Sequence, residues 1–287
     1  MDTALHAERR GSRIRSGLLW PYVFAASSAV ELSLPSAFDL SDLLKIRALL
    51  LDIEGTTTPI DFVFKTLFPF AAEHVTAFLQ KYAAKEPVHE LLDELRAAHA
   101  SDLANGNELA LWDASSDERE IQSAAGYVRW LIARDSKIIP LKALQGQIWE
   151  AGYRSGELRG EVYADVPGAF ERWRAQGRRI AIFSSGSVLA QRLLFGHSNA
   201  GDLRAYIEAY FDATTGPKRE AQSFGKIAAA LGLVAQEILF VSDVTSELDA
   251  ASSAGMKTAL SLRPGVAVPK ETTHPAVHTF DEIFPSS

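Results

Sequence analysis

The sequence predicts an α/β fold, with a doubly wound parallel sheet as its core and a helical cap domain inserted after the first strand. Short apolar runs alternate with helical patterns along the C-terminal part of the chain, which is typical of a parallel sheet covered by helices. About a hundred residues behind the first apolar run read as helices throughout. We therefore expect an N-terminal extension over residues 1–45, an α/β core over 46–62 and 161–287, and the cap over 63–160.

Four apolar runs are predicted to be buried strands. The first reads I-R-A-L-L-L-D-I from Ile46 to Ile53, and a continuous run of this length suits a strand that is buried on both faces. The others extend from Arg179 to Phe183, from Glu237 to Val241 and from Lys257 to Leu262.

Eight helices are predicted from apolar periodicity. Four lie in the inserted stretch, at Phe64 to Lys81, Val88 to His99, Ser116 to Arg134 and Pro140 to Arg154. Four lie among the later strands, at Pro167 to Gln176, Val188 to Phe195, Arg219 to Leu231 and Glu247 to Ala254.

Composition excludes several classes of function. The 287 residues include no cysteine, which rules out disulfides, thiolate catalysis and cysteine-ligated zinc. A net charge of −7 gives no basic field for attracting nucleic acid. We expect a cytoplasmic monomer that has no nucleic-acid or membrane partner.

The N-terminal 45 residues have two interpretations. Four arginines precede an uncharged run from Ser16 to Val30, a composition that resembles a secretory signal. The run is shorter than the ~20 residues of a membrane span, and Pro21 interrupts it. The interpretation we favour is a poorly ordered extension or an upstream start codon, and we expect deletion of residues 1–45 to leave activity and melting temperature nearly unchanged.

Two acidic residues follow the first strand. Asp52 and Glu54 are two positions apart, so both side chains are expected on the same side of the chain, just beyond the sheet. A bound cation or a shared proton would relieve their repulsion. Asp52 then suits a covalent nucleophile and Glu54 a general acid and base, while Gly55 permits a sharp turn. The alternative is a strand-end turn with two solvated acids.

Two further sites carry groups that suit a phosphate. Ser184 and Ser185 follow the second strand and precede a helix, where free N–H groups and a hydroxyl bind anions. Capping of the helix by a serine is the alternative. Lys218, in a loop before the next helix, suits neutralisation of phosphate charge, although a loop lysine is usually only solvated.

Asp243 follows the strand that ends at Val241, and it completes a set of oxygen ligands. Asp52, Asp243, a backbone carbonyl and waters together suit magnesium. Glu247 and Asp249 follow nearby, and we interpret both as charges at the N-terminus of a helix.

The order of these groups resembles the four motifs of the haloacid dehalogenase superfamily, and the local sequence is similar to one family within it, the enolase-phosphatases (acireductone synthases). The resemblance extends from about residue 46 to the C-terminus and rests on L-D-I-E-G-T-T-T-P-I-x-F-V, L-K-A-L-Q-G-Q-I-W, S-S-G-S-V-x-A-Q-x-L-L-F-G-H-S and F-V-S-D-V-T-S-E. Most of the superfamily has Asp where Glu54 stands; this family has Glu. Residues 1–45 depart from the family pattern.

The resemblance implies roles for the named residues. It implies Asp52 as the nucleophile, Glu54 as the acid and base, Mg²⁺ held by Asp52, Glu54 and Asp243, and a phosphorylated substrate bound by Ser184, Ser185 and Lys218. It implies enolisation and dephosphorylation of 2,3-diketo-5-methylthiopentyl 1-phosphate through an aspartyl phosphate.

The enolisation base and the contacts of the methylthio group stay open at this stage. Glu54 or a cap residue fits the base. Lys142, Gln145 and Trp149 share a helical face and would reach the methylthio end, although Trp149 also suits the interior of the cap. His197 fits either a substrate contact or a loop hydrogen bond. Another phosphatase of the same superfamily, or an inactive binding module on the same fold, are the rival interpretations.

Overall fold

The computed structural model describes residues 44–265, 269 and 272–285. Its core is a six-stranded sheet with the order β3-β2-β1-β4-β5-β6, in which every neighbouring pair is parallel. The strands are β1 (Ala48–Leu51), β2 (Arg179–Phe183), β3 (Ala209–Phe211), β4 (Ile238–Ser242), β5 (Lys257–Ser261) and β6 (Ala276–Val277). The predicted α/β fold with a parallel sheet is confirmed.

The first strand lies in the middle of the sheet and is fully buried. All four residues of β1 are fully buried, and β1 pairs with β2 on one side and β4 on the other. Its side chains alternate between two apolar layers: Leu49 and Leu51 belong to one, Ala48 and Leu50 to the other. This burial on both faces is what the uninterrupted apolar run predicts.

Two edge strands were absent from the sequence prediction. β3 has three half-buried residues and β6 has two residues, and both lie at an edge of the sheet. Neither is long enough or buried enough to leave a continuous apolar run in the sequence.

Four long helices lie between β1 and β2 along the chain, as the periodicity predicts. They are α1 (Ile60–Tyr82), α2 (Val88–Ala104), α3 (Asp117–Ala133) and α4 (Ile139–Ser155). Ser116 caps α3 by accepting a hydrogen bond from the N–H of Arg119. The interpretation of this stretch as a cap domain stays a prediction.

One helix of this stretch is unusual in two respects. The Val63–Leu67 turn of α1 is π-helical, and such turns are frequent at functional sites. Among the described helices, α1 is also the one whose length and composition fit a membrane span. Its Ala71, Val75 and Leu79 are fully buried within the apolar layer that also includes residues of α2, α3 and α4.

The remaining helices alternate with the later strands, and the first of them directly precedes β2. They are α5 (Val166–Ala175), α6 (Val188–Gly196), α7 (Ala221–Leu231) and α8 (Thr245–Ser253). Each begins and ends within two residues of the predicted bounds. The predictions for residues 1–43, including the signal-like run, lie outside the described residues.

Candidate active site

The candidate site lies where the carboxyl ends of β1, β2 and β4 meet. The strand order places β1 between the other two, so the loops that follow all three converge at one edge of the sheet. These loops carry Asp52 and Glu54, then Ser184 and Ser185, then Asp243. A shared strand edge is where open α/β sheets bind their ligands.

Asp52 is almost fully buried, and each of its two carboxylate oxygens has a hydrogen-bond or ion-pair partner. Its Oδ1 accepts a hydrogen bond from the N–H of Ile53 at 2.7 Å and lies 2.6 Å from Nζ of Lys218. Its Oδ2 accepts one from the hydroxyl of Ser242 at 3.1 Å. These contacts fix the carboxylate rotamer, as a nucleophile that must attack in line requires.

Lys218 joins the site as a buried cation between two carboxylates. Its Nζ lies 2.6 Å from Asp52 Oδ1 and 2.7 Å from Glu247 Oε2, and all three side chains are largely buried. Burial alone would lower the pKa of Lys218, but the charges of Asp52 and Glu247 raise it well above its usual range. Lys218 is therefore a permanent positive charge beside the proposed nucleophile.

Glu247 is the helix N-terminal charge that the sequence predicts, but it also belongs to the charged cluster of the site. It does lie in the first turn of α8, but its Oε2 also lies 3.0 Å from the hydroxyl of Ser242. Burial and the charge of Asp52 raise the pKa of Glu247, against the opposing effect of Lys218. Asp249 lies outside this cluster and pairs with His274 instead. No local sequence pattern separates Glu247 from Asp249, because the contact that places Glu247 in the site is made by Lys218 from a different loop.

Glu54 lies in a tight loop between β1 and α1. The N–H groups of Thr56, Thr57 and Thr58 all donate to the carbonyl of Ile53, so the loop folds back on the strand end. Ser184 donates from its hydroxyl to Glu54 Oε2 at 3.4 Å. Burial raises the pKa of Glu54, and the charge of Asp52 raises it further.

A glycine is required at position 55 because of its backbone conformation and because Asp243 leaves no space for a side chain. Its φ is +68°, the left-handed region that favours glycine. A Cβ atom built on it would also lie 2.2 Å from Oδ2 of Asp243. Asp243 therefore packs directly on the backbone of the first loop.

The donor set fits a magnesium ion. Oδ1 of Asp243 is buried and has no hydrogen-bond partner among the described residues. Burial and the charge of Asp52 raise the pKa of Asp243 to about 7. A bound divalent cation would give Oδ1 of Asp243 a partner and would stabilise the ionised form of the carboxylate. Oxygen ligands are also the ones that magnesium prefers.

Side chains alone do not complete that metal site. Within the described residues, no three His, Asp or Glu side chains converge as a ready metal cluster. Asp52 and Asp243 would be joined by the backbone carbonyl of Glu54 and by water, which is the usual way in which proteins bind magnesium.

Two adjoining cavities open at the site. One, of about 680 Å³ including space open to solvent, is lined by Asp52, Lys218, Asp243 and Glu247. The other, of about 720 Å³ measured in the same way, is mostly apolar and extends to Leu67, Trp149 and Leu194. The two cavities share Glu54, Val63, Phe68, Lys137 and Ser185.

The predicted helical face of α4 lines the apolar cavity. Lys142, Gln145 and Trp149 are all among its lining residues. Trp149 is nearly buried and donates from Nε1 to the carbonyl of Leu67 at 2.8 Å, so it serves both as packing and as cavity wall. His197 lines neither cavity; its exposed ring stacks on Tyr153.

The three serines of the loop after β2 make different contacts. Ser187, not Ser184 or Ser185, caps α6 by accepting from the N–H of Ala190 at 3.3 Å. Ser184 accepts from the N–H of Gly186 at 3.1 Å. Ser185 is exposed and lines both cavities. The capping alternative therefore does not account for the two residues predicted to contact phosphate.

Comparison with known proteins identifies similar sequences over most of the chain. The profile of the haloacid dehalogenase-like hydrolases matches residues 46–255. Enolase-phosphatase E1 of Synechococcus elongatus is 53% identical over 83% of this chain and 98% of its own length. Enolase-phosphatase E1 of Drosophila sechellia is 46% identical over 77% and 85%.

Solved structures give the same assignment of fold. The crystal structure of the UTR4 protein of Saccharomyces cerevisiae superposes with a TM-score of 0.66 and is 36% identical, covering 82% of this chain and 99% of that one. A phosphatase of Thermococcus onnurineus with the haloacid dehalogenase fold is 20% identical, with a TM-score of 0.50 and coverage of 83% and 95%, a likeness of fold alone.

Proposed function

Because this chain belongs to the enolase-phosphatase E1 family of haloacid dehalogenase-like hydrolases, we propose that it converts 2,3-diketo-5-methylthiopentyl 1-phosphate to the acireductone of methionine salvage. The reaction comprises enolisation and phosphate hydrolysis in one site, with an aspartyl phosphate between them. The observation that carries the proposal is the junction of a charged cavity, which contains Asp52, Lys218 and Asp243, with an apolar cavity that ends at Trp149.

The phosphate end of the substrate fits the charged cavity. Asp52 attacks phosphorus as the nucleophile, since its oxygens are already oriented by Lys218, Ser242 and the N–H of Ile53. Lys218 neutralises charge on the phosphoryl group, and Ser184 and Ser185 offer hydrogen-bond donors at the end of β2.

Magnesium is the cofactor in this proposal, held by Asp52, Asp243 and Glu54. When bound, it supplies positive charge for the phosphoryl oxygens and polarises a substrate oxygen. The buried, unpartnered Oδ1 of Asp243 supports this assignment.

Glu54 acts as the general acid and base. Burial and the charge of Asp52 raise its pKa, which favours the protonated form that a general acid requires. It protonates the leaving oxygen when the P–O bond breaks, and it later takes a proton from the water that hydrolyses the aspartyl phosphate.

The apolar cavity suits the methylthio end. Leu67, Trp149 and Leu194 form an uncharged wall of the kind that a thioether contacts. In this proposal residues 63–160 form the cap that encloses the substrate and excludes water from the reacting atoms. The protein is further proposed to act as a cytoplasmic monomer on a small-molecule phosphate.

Two experiments test this function. A panel of phosphorylated metabolites that includes the diketone phosphate should show a marked preference for the diketone phosphate. A preference for another monoester would favour a different phosphatase of the superfamily.

The second experiment addresses the nucleophile. Asp52→Asn should abolish magnesium-dependent phosphate release while its circular dichroism stays that of the parent. Retained turnover in that folded variant would remove Asp52 as nucleophile, and absence of any phosphate release from the parent would favour a binding module.

A further inference from the structure

Lys142 places an ammonium group in the apolar cavity without a carboxylate partner. Its Nζ donates to the backbone carbonyl of Ser185 at 3.0 Å, which is a neutral acceptor. In the described part of the chain it forms no ion pair with an acidic side chain. The other lysines of the site differ: Lys218 has two carboxylates, and Lys137 pairs with Asp135.

The surroundings of Lys142 disfavour its charge. Burial lowers its pKa and the neighbouring charge of Lys137 lowers it further, while the charges of Asp212, Asp135 and Glu54 oppose both without forming an ion pair with Lys142. Asp212 is itself engaged by Thr214 and by the N–H of Val188. An ammonium that is partly desolvated and not neutralised costs free energy, which a ligand with negative charge would recover.

The phosphate is not that ligand. Phosphorus must lie beside Asp52, in the cavity lined by Lys218 and Asp243, and Lys142 does not line that cavity. Lys142 lines the adjoining apolar cavity, past the shared region that contains Glu54 and Ser185. A substrate whose phosphate lies at Asp52 would direct its next atoms into this region.

We propose that Lys142 stabilises the oxyanion that forms on the substrate's C2 oxygen during enolisation. This inference rests on the proposed function, in which C1 carries the phosphate ester and C2 and C3 are carbonyl carbons. Lys142 is then a catalytic residue of the first step only.

The step balances with the groups at the junction of the cavities. The C1–H bond breaks and its proton passes to the carboxylate of Glu54. The electron pair forms the C1–C2 double bond, and the C2 oxygen takes the negative charge and accepts a hydrogen bond from Lys142. When Asp52 then breaks the P–O bond, Glu54 returns the proton to the departing C1 oxygen.

A purely structural role for Lys142 predicts a different outcome. Its bond to the Ser185 carbonyl joins α4 to the β2 loop, so loss of that bond would disturb the binding of every phosphate ester alike. Oxyanion stabilisation instead affects only a substrate that enolises. The two roles are therefore separated by comparing an enolisable with a non-enolisable ester.

The test uses Lys142→Met, which keeps the apolar stem, and Lys81→Met as an exposed control on α1. Two rates are measured with magnesium: deuterium exchange at C1 of the diketone phosphate in D2O, and phosphate release from p-nitrophenyl phosphate. Loss of an oxyanion donor typically costs 10²–10³-fold, so exchange in Lys142→Met should fall by about 10²-fold or more, with little change in p-nitrophenyl phosphate hydrolysis. Lys142→Arg should recover part of the exchange, and Lys81→Met should match the parent.

Two outcomes for Lys142→Met overturn the inference. One is an equal fall of both rates, which a purely structural link between α4 and the β2 loop predicts, and the other is an unchanged exchange rate. A parent enzyme that hydrolyses p-nitrophenyl phosphate but never exchanges the C1 proton refutes the proposed function itself, before any variant is measured.

Discussion

Replacing Lys218 by methionine should destabilise the protein far more than replacing a surface lysine. The variant keeps the apolar stem but removes Nζ, which lies 5.8 Å and 6.0 Å from the ring centroids of Phe183 and Phe240. It therefore leaves Asp52 and Glu247 without their shared cation. Breaking a buried ion pair by removing one partner costs about 3–5 kcal/mol. For a domain of this size that corresponds to a fall of about 6–20 °C in the melting temperature.

The measurement is thermal unfolding followed by circular dichroism, with a chelator present so that a bound cation does not replace the lost charge. Lys65→Met is the matched control, because Lys65 and Asp61 form a highly exposed pair on α1. Exposed pairs contribute little to stability, so the melting temperature of this control should stay close to that of the parent. Lys218→Met should also slow phosphate release, by about 10²–10³-fold, because a charge that stabilises the transition state is lost.

A double variant tests the reasoning most sharply. Glu247→Gln removes one of the two carboxylates that Lys218→Met leaves unpaired, so the double variant should be more stable than the sum of the two single losses predicts. Strictly additive losses, or a Lys218→Met protein as stable as the Lys65→Met control, would refute the description of Lys218 as a buried cation held by both carboxylates.

Three further predictions concern the first loop and the metal site. Gly55→Ala should lower stability by about 1–2 kcal/mol, because of the positive φ, and should raise the magnesium concentration needed for half-maximal activity, because the new Cβ displaces Asp243; unchanged magnesium dependence would contradict this contact. In chelator, the folded protein keeps Asp243 protonated up to a pH of about 7, whereas the unfolded chain releases that proton near pH ~3.9. Stability should therefore fall as pH rises between these values, and Asp243→Asn should reduce the fall in urea titrations; an equal fall in both proteins would oppose the assignment. Glu54→Gln should slow phosphate release by about 10²–10⁴-fold, and release at the parent rate would remove Glu54 as the acid and base.

The sequence predicts the core of the site because each of these residues directly follows a recognisable strand pattern in the chain. Asp52, Ser184 and Asp243 each follow an apolar run that forms a buried strand, and parallel strands bring their carboxyl ends to one edge. The identity of each acid or hydroxyl is then enough to suggest phosphate and metal chemistry. Edge strands such as β3 are not predicted, because three half-buried residues leave no continuous apolar run in the sequence.

Other features of the site depend on contacts that no local pattern records. Glu247 reads as an ordinary helix N-terminal acid until the structure brings Lys218, from a different loop, to 2.7 Å from it. In the sequence Lys142 is one polar residue on a helical face. Only the structure shows that, within the described residues, its ammonium group contacts a backbone carbonyl and forms no ion pair with a carboxylate. The π-helical turn at Val63–Leu67 likewise has no sequence signature of its own.

Product analysis with 2,3-diketo-5-methylthiopentyl 1-phosphate tests the central claim most directly. Inorganic phosphate and the absorbance of the acireductone are followed in the same reaction, with magnesium and again with chelator. The proposed function predicts that both products appear together in equal amounts with magnesium and that neither appears in chelator. Phosphate without acireductone, or undiminished release of phosphate in chelator, would contradict it.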